Sequence, residues 1–186
     1  IQSLRSVKEK LICGISVANI FTGKSSMFEY ETPFYINPTT FDELEHYISI
    51  FNPSEVIFIS PFDNDTIRTI LQYSGIKCSV HRIDSRNVSN EKVQNCMKQK
   101  YIFHILASFF GQESIQICAE FENYVIATQS FCYLLDFIQE HNPNLVRKIS
   151  MPTFNNISTR MVLANHTLKQ LNIIDDHGKP SGNLSS

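Results

Sequence analysis

The sequence predicts a mixed α/β fold, on three observations. The opening is β-rich around a turn-forming cluster, a short continuous apolar run stands at Glu55 to Ile59, and helical periodicities alternate with extended segments on either side of it. Strands that alternate with helices imply right-handed crossovers, and hence a mixed sheet flanked by helices. A chain of 186 residues suits one domain, or one domain with an attached segment. With 42% hydrophobic and 18% charged residues and no charge block, it has the composition of a chain that folds.

The elements follow in order. Leu11 to Phe21 is rich in β-formers and Thr22-Gly23-Lys24-Ser25-Ser26 is a turn cluster, so a hairpin is expected. Met27 to Glu31 and Pro33 to Ile36 add extended segments around Pro33 and make the opening a β-meander. Thr39 or Thr40 then caps a helix in which Phe41, Leu44, Ile48 and Phe51 share a face, while Asp42, Glu43 and Glu45 suit its N-terminal end. Asn52-Pro53 stops it. Glu55 to Ile59 reads as a strand buried on both faces. Ser60 to Asp65 form a turn and cap, Ile67, Ile70, Leu71 and Ser74 mark one side of a second helix ended by Gly75, and Lys77 to Asp84 returns to strand.

After Ser89 as cap, one helical stretch carries Val93, Cys96, Met97, Ile102, Leu106 and Phe109 as far as Gly111. The longest helix is expected from Ala119 to Glu140, with Phe121, Val125, Thr128, Cys132, Leu135 and Ile138 aligned and Asn142-Pro143 as its stop. It would be about 33 Å long, enough to leave the α/β domain as a lever. Leu145 to Ile174 reads as a short extended piece plus a helix capped near Asn165, and His177 to Ser186 as a flexible tail. The expected organisation is an α/β domain over 1–118, then a connecting helix and the beginning of a helical domain over 119–186.

Composition narrows the function. A formal charge of -2 is too balanced for a strongly basic nucleic-acid binder, and the apolar runs fall short of the roughly 20 residues of a membrane span. The first ten residues carry no initiator Met and no signal pattern, which reads as an internal cut and the chain as a fragment. Cys13, Cys78, Cys96, Cys118 and Cys132 are odd in number and without a C-x-x-C pair, as in a reduced intracellular protein with buried structural thiols. The six histidines form no H-x-x-x-H pair. Gly23-Lys24-Ser25 imitates the end of a phosphate-binding loop, but Ala18 stands where that loop needs its first glycine.

A β-meander followed by α and β elements suggests the ribonuclease-H-like fold, whose nucleases hold two divalent metals with clustered carboxylates. The first strand offers Ser16, Val17, Ala18 and Asn19 and no acid, and Asn19 is a weak ligand for a hard cation. The enzymatic alternative is a diverged metal-dependent nuclease using Asp63, Asp84 and Glu120. Against it, Asp63, Asp65, Asp84, Glu120 and Glu122 read mostly as solvated acids at caps or on helix surfaces, and no G-x-S-x-G motif supports nucleophilic catalysis. A third reading is a free-standing α/β interaction module.

Two separated stretches, taken together, resemble the MutS family of DNA mismatch-repair proteins. Gly14-Ile-Ser-Val-Ala-Asn-Ile-Phe-Thr22-Gly23, with Pro53-Ser-Glu55-Val-Ile-Phe further on, is similar to the start of the MutS connector domain. Ala127 and Leu134-Leu-Asp-Phe-Ile138, followed by Met161-Val-Leu163-Ala-Asn-His-Thr167-Leu-Lys-Gln-Leu171, resemble the junction of connector and core. Gly182-Asn-Leu-Ser-Ser186 is similar to the run that leads into the core's lever helices. Ala164 and Asn172 stand where the family usually has Asp and Glu, as in a divergent branch. The structural motif residues carried over are therefore Gly14, Thr22, Gly23, Pro53, Glu55, Met161, Leu163, Thr167 and Leu171.

The resemblance implies a ribonuclease-H-like connector without nuclease chemistry and without catalytic, cofactor or metal residues of its own. It would couple mismatched duplex DNA to an ATPase and present a surface to a MutL-type protein. The mismatch-reading Phe-x-Glu motif is absent, since Phe121-Glu122-Asn123 has the wrong order, and the ATP- and Mg-binding P-loop would lie elsewhere in the parent. The expected setting is intracellular and DNA-associated. A second MutS-type subunit would join through the parent's ATPase part, leaving this chain alone a monomer.

Overall fold

The computed structural model describes residues 10–111 and 121–154, which fall into two compact units. The first holds residues 10–34, 57–61, 82–111 and 121–154; the second holds 35–56 and 62–81. The class is mixed α/β, but among the described residues the strands are shared between a three-stranded and a two-stranded sheet, not gathered into one.

In the first unit β1 (Lys10–Ala18) and β2 (Ser25–Pro33) form an antiparallel hairpin in which Gly14 lies opposite Glu29 and Cys13 opposite Tyr30. Pro33 has no N–H to continue a ladder and closes β2. The expected third strand of the meander, Pro33 to Ile36, is absent, and the chain turns there toward a 3-10 helix at Pro38–Phe41. The third strand of this sheet comes from far along the chain. β5 (Thr153–Phe154) pairs parallel to β2, with Ser26 opposite Thr153 and Met27 opposite Phe154. The second sheet consists of β3 (Glu55–Ser60) and β4 (Ser79–Asp84). The four residues Val56 to Ile59 are only half-buried, so the apolar run of β3 is not enclosed on both faces as expected.

The second unit contains α1 (Asp42–Phe51) and α2 (Asn64–Tyr73). Entry into α1 differs from the expected Thr39 or Thr40 cap. Asn37 is the cap of the preceding 3-10 turn, its Oδ1 accepting from Thr40 N–H at 3.1 Å and from both threonine hydroxyls. Pro38 directly after it has the fixed φ and missing donor that favour a first helical position. The buried residues are Phe41, Leu44 and Tyr47; Tyr47 takes a place expected of Ile48, and Phe51 stacks on it at 5.9 Å. Asn52 ends α1 in a left-handed conformation. On α2, Ile67, Ile70, Leu71 and Ser74 are buried as expected, and the Ser74 hydroxyl donates to Ile70 O at 2.7 Å.

The helical stretch expected after Ser89 is two helices. Asn90, not Ser89, caps α3 (Glu91–Cys96), and extended backbone at Lys98 separates it from α4 (Gln99–Phe110). The long helix is also shorter than expected: the chain bends at Tyr124, and α5 runs over Val125–His141, about 26 Å for 17 residues. It packs along β1 and β2 within the first unit and is followed at once by the short α6 (Pro143–Val146), where an extended piece was expected from Leu145. Met27, Leu106, Ala127, Phe131, Cys132 and Leu135 form the fully buried centre of this unit. The 118/119 boundary, most of the expected helix-start region and the helix expected near Asn165 lie outside the described residues.

Candidate functional site

The hairpin and α5 meet at a joint made by the glycines of the first motif stretch. A Cβ added at Gly14 would stand 2.3 Å from Ala127 N and 2.4 Å from Ile126 C, so only glycine lets the start of α5 lie directly on β1. Across the hairpin from Gly14, Glu29 uses the contact. Its Oε2 accepts from Ile126 N–H at 2.8 Å and Ala127 N–H at 2.9 Å. These are first-turn amides with no partner inside the helix, and Tyr124 supplies no side-chain cap. A carboxylate from a neighbouring strand therefore performs the capping, favoured by the positive end of the helix dipole. One turn on, Ser16 and Ser130 hydroxyls meet at 2.8 Å.

The far end of the hairpin is fixed as firmly. Asn19 Oδ1 accepts from Phe21 N–H and Thr22 N–H, both at 3.0 Å, while Asn19 and Lys24 close the backbone at 2.8 Å. Gly23 has φ +74°, and a Cβ there would lie 2.0 Å from Lys148 O. Its own carbonyl accepts from Ser150 N–H at 2.7 Å, and the Ser25 hydroxyl donates to Ser150 O at 2.7 Å. Gly23-Lys24-Ser25 thus serves as a hairpin turn that leads into β2, without the helix a phosphate-binding loop requires.

The remaining motif residues stand apart from this joint. Pro53 follows the end of α1 in the second unit, where Glu55 opens β3 and meets His81. Met161, Leu163, Thr167 and Leu171 lie outside the described residues, as do Glu120, Cys118, His166 and His177. Of the alternative nuclease acids, Asp63 caps α2, accepting from Asp65 and Thr66 N–H at 3.0 and 2.9 Å, and the hydrogen bonds to Thr66 lower its pKa. Asp84 accepts two bonds from the Arg86 guanidinium, at 3.0 and 2.8 Å, which with the Arg86 N–H hold its carboxyl down at about 2. Both are occupied locally. Among the described residues no three His, Cys, Asp or Glu gather as a metal site would need.

Phe121 belongs to the core, edge-on to Phe154 at 5.2 Å, and Glu122 takes a bond from Gln99 at 3.4 Å. Cys96 and Cys132 are buried thiols; burial, with Asp136 adding, raises both, Cys96 to about 12. Tyr101 donates to Asp136 at 2.6 Å, and its pKa is raised chiefly by burial. Glu29 and Ser150 escape sequence reasoning because nothing local marks either: one is an outward-reading strand acid and the other a loop serine, and both act on partners 97 or more residues away.

No protein-family model matches the chain. It is similar to a protein of Acanthamoeba polyphaga mimivirus described as "Putative DNA mismatch repair protein mutS homolog", 25% identical over 191 aligned positions. The similarity takes in 91% of the chain but 17% of that protein. What is matched is thus nearly all of the present sequence and about one sixth of the length of the relative. No helix among the described residues is long and apolar enough to cross a membrane.

Proposed function

We propose that this chain is the connector, with a ribonuclease-H-like arrangement, and the beginning of the core of a MutS-type mismatch-repair ATPase. It would couple the parent's hold on mismatched DNA to ATP hydrolysis elsewhere in the parent, and offer a surface to a MutL-type partner. The observation that carries this reading is the likeness along 91% of the chain to a MutS homolog. Gly14 and Gly23, the glycines of the first motif stretch, add support because each sits where a side chain would collide with backbone. The proposed task needs no chemistry in this chain. It needs rigid joints, and the Gly14–Glu29–α5 contact is one.

The test uses the parent protein. Gly14→Val should leave basal ATP turnover in place while abolishing its stimulation by mismatched duplex, and Val at this position should also weaken capture of a MutL-type protein. A parent without a nucleotide-binding site, or one whose mismatch response survives loss of this joint, would contradict the proposal. Divalent-metal-dependent cleavage by the purified chain, lost in Asp84→Asn, would favour the nuclease instead.

A further inference from the structure

The joint at the hairpin tip brings together groups that its structural role does not use. Phe21 is 90% exposed, the most exposed of the large apolar side chains described. It is also held rigidly, on a turn closed by Asn19 and anchored through Gly23 to the 148–150 segment. An exposed ring on a locked turn has lost its backbone freedom before any partner arrives, and so pays little to bind.

The two stretches of chain that meet at this turn carry formal charge of one sign. Gly23 lies against the Lys148 carbonyl and its own carbonyl accepts from Ser150 N–H, so the turn that carries Lys24 meets the segment that carries Arg147 and Lys148. All three are exposed, and their side chains make no ion pair among the described residues. Residues 11–28 and 141–154 contain no Asp or Glu at all, although the whole chain has more acids than bases. Arg147 also borders an open groove of about 450 Å³ with Ser108, Phe109, Gln139, Pro143 and Val146.

We infer that the tip of the hairpin, with Phe21 as stacking platform and Lys24, Arg147 and Lys148 as phosphate contacts, is a binding site for single-stranded nucleic acid. Such sites pair a cationic surface with a solvent-facing aromatic ring on which any base can stack. An acidic peptide would satisfy the cations but leave the ring without a matching flat partner. The site stands whether or not the parent is a MutS-type protein, since it uses only the tip's geometry and charge.

The test is fluorescence anisotropy of a labelled oligothymidylate of roughly 15 nucleotides with the intact chain. Binding should weaken with salt with a log–log slope near about -2, the value for three contacts on a single strand. Phe21→Ala should weaken it by about ten-fold. The triple change Lys24→Glu, Arg147→Glu and Lys148→Glu should abolish it, and circular dichroism should show both variants folded. No binding at low salt would overturn the inference. So would affinity unchanged by either variant, or a poly-glutamate competitor that displaces the oligonucleotide while Phe21→Ala has no effect.

Discussion

Gly14 concentrates the consequences of a single missing methyl group. The atoms a Cβ would strike are backbone atoms of α5, which cannot rotate away as a side chain could. Gly14→Ala should therefore cost at least the ~1–3 kcal/mol typical of an overpacked core. Urea unfolding would show this as a lower midpoint at an unchanged slope. Asp84 offers a second test. Its pKa of about 2 depends first on the Arg86 side chain, so Arg86→Gln should move it upward toward the ordinary 3.8, as read from its side-chain NMR titration. The sign follows: a depressed carboxylate stabilises the fold above its unfolded value and loses that contribution as pH falls through about 2. The substitution should narrow that acid window.

Among the elements, the entry into α1 shows how a cap is misplaced by reading one residue type alone. Thr39 and Thr40 are good capping residues, but Asn37 followed by proline is better placed, and the threonine hydroxyls themselves donate to it. Asn37→Ala should cost about 1 kcal/mol in thermal or chemical unfolding, and Thr39→Ala distinctly less. Apart from the exact capping residues at Asn37 and Asn90, local chemistry was legible where the stabilising partner sits within a few residues. The end of α1 at Asn52, Asp63 and α2, and the turn at Thr22 to Ser26 were all read from neighbours in sequence. The break at Lys98 and the start of α5 at Val125 were not. Both interrupt runs whose apolar spacing continues across them, and spacing alone cannot register where backbone hydrogen bonding stops.

For the whole molecule, what sequence could not supply was long-range pairing. β5 is two residues long and exists as a strand only because β2 offers it an edge, and Glu29 caps a helix that begins almost a hundred residues later. The glycines of the joint were visible as motif letters, but not the backbone each one meets. A global prediction follows from burial. Cys13, Cys96 and Tyr47 are raised to about 11, 12 and 12 from ordinary values of 9.0, 9.0 and 10.0, burial being the first cause in each. Stability that depends on their protonated forms is present below those ordinary values and is lost as pH rises through the folded ones. The melting temperature should begin to fall near pH 9.0 and continue falling to about 12, and a flat alkaline profile would contradict the burial.

The closure of the first unit by residues 121–154 also sets a clock. A ribosome adding about 5–20 residues per second takes roughly 6 to 24 s to travel from the end of β2 to the strand that pairs with it. During that interval the newborn hairpin holds Met27 and the face around Gly14 open, with neither α5 nor β5 yet made to cover them. The hairpin, made before the helix and the strand that cover it, is thus among the last parts of this unit to be sheltered.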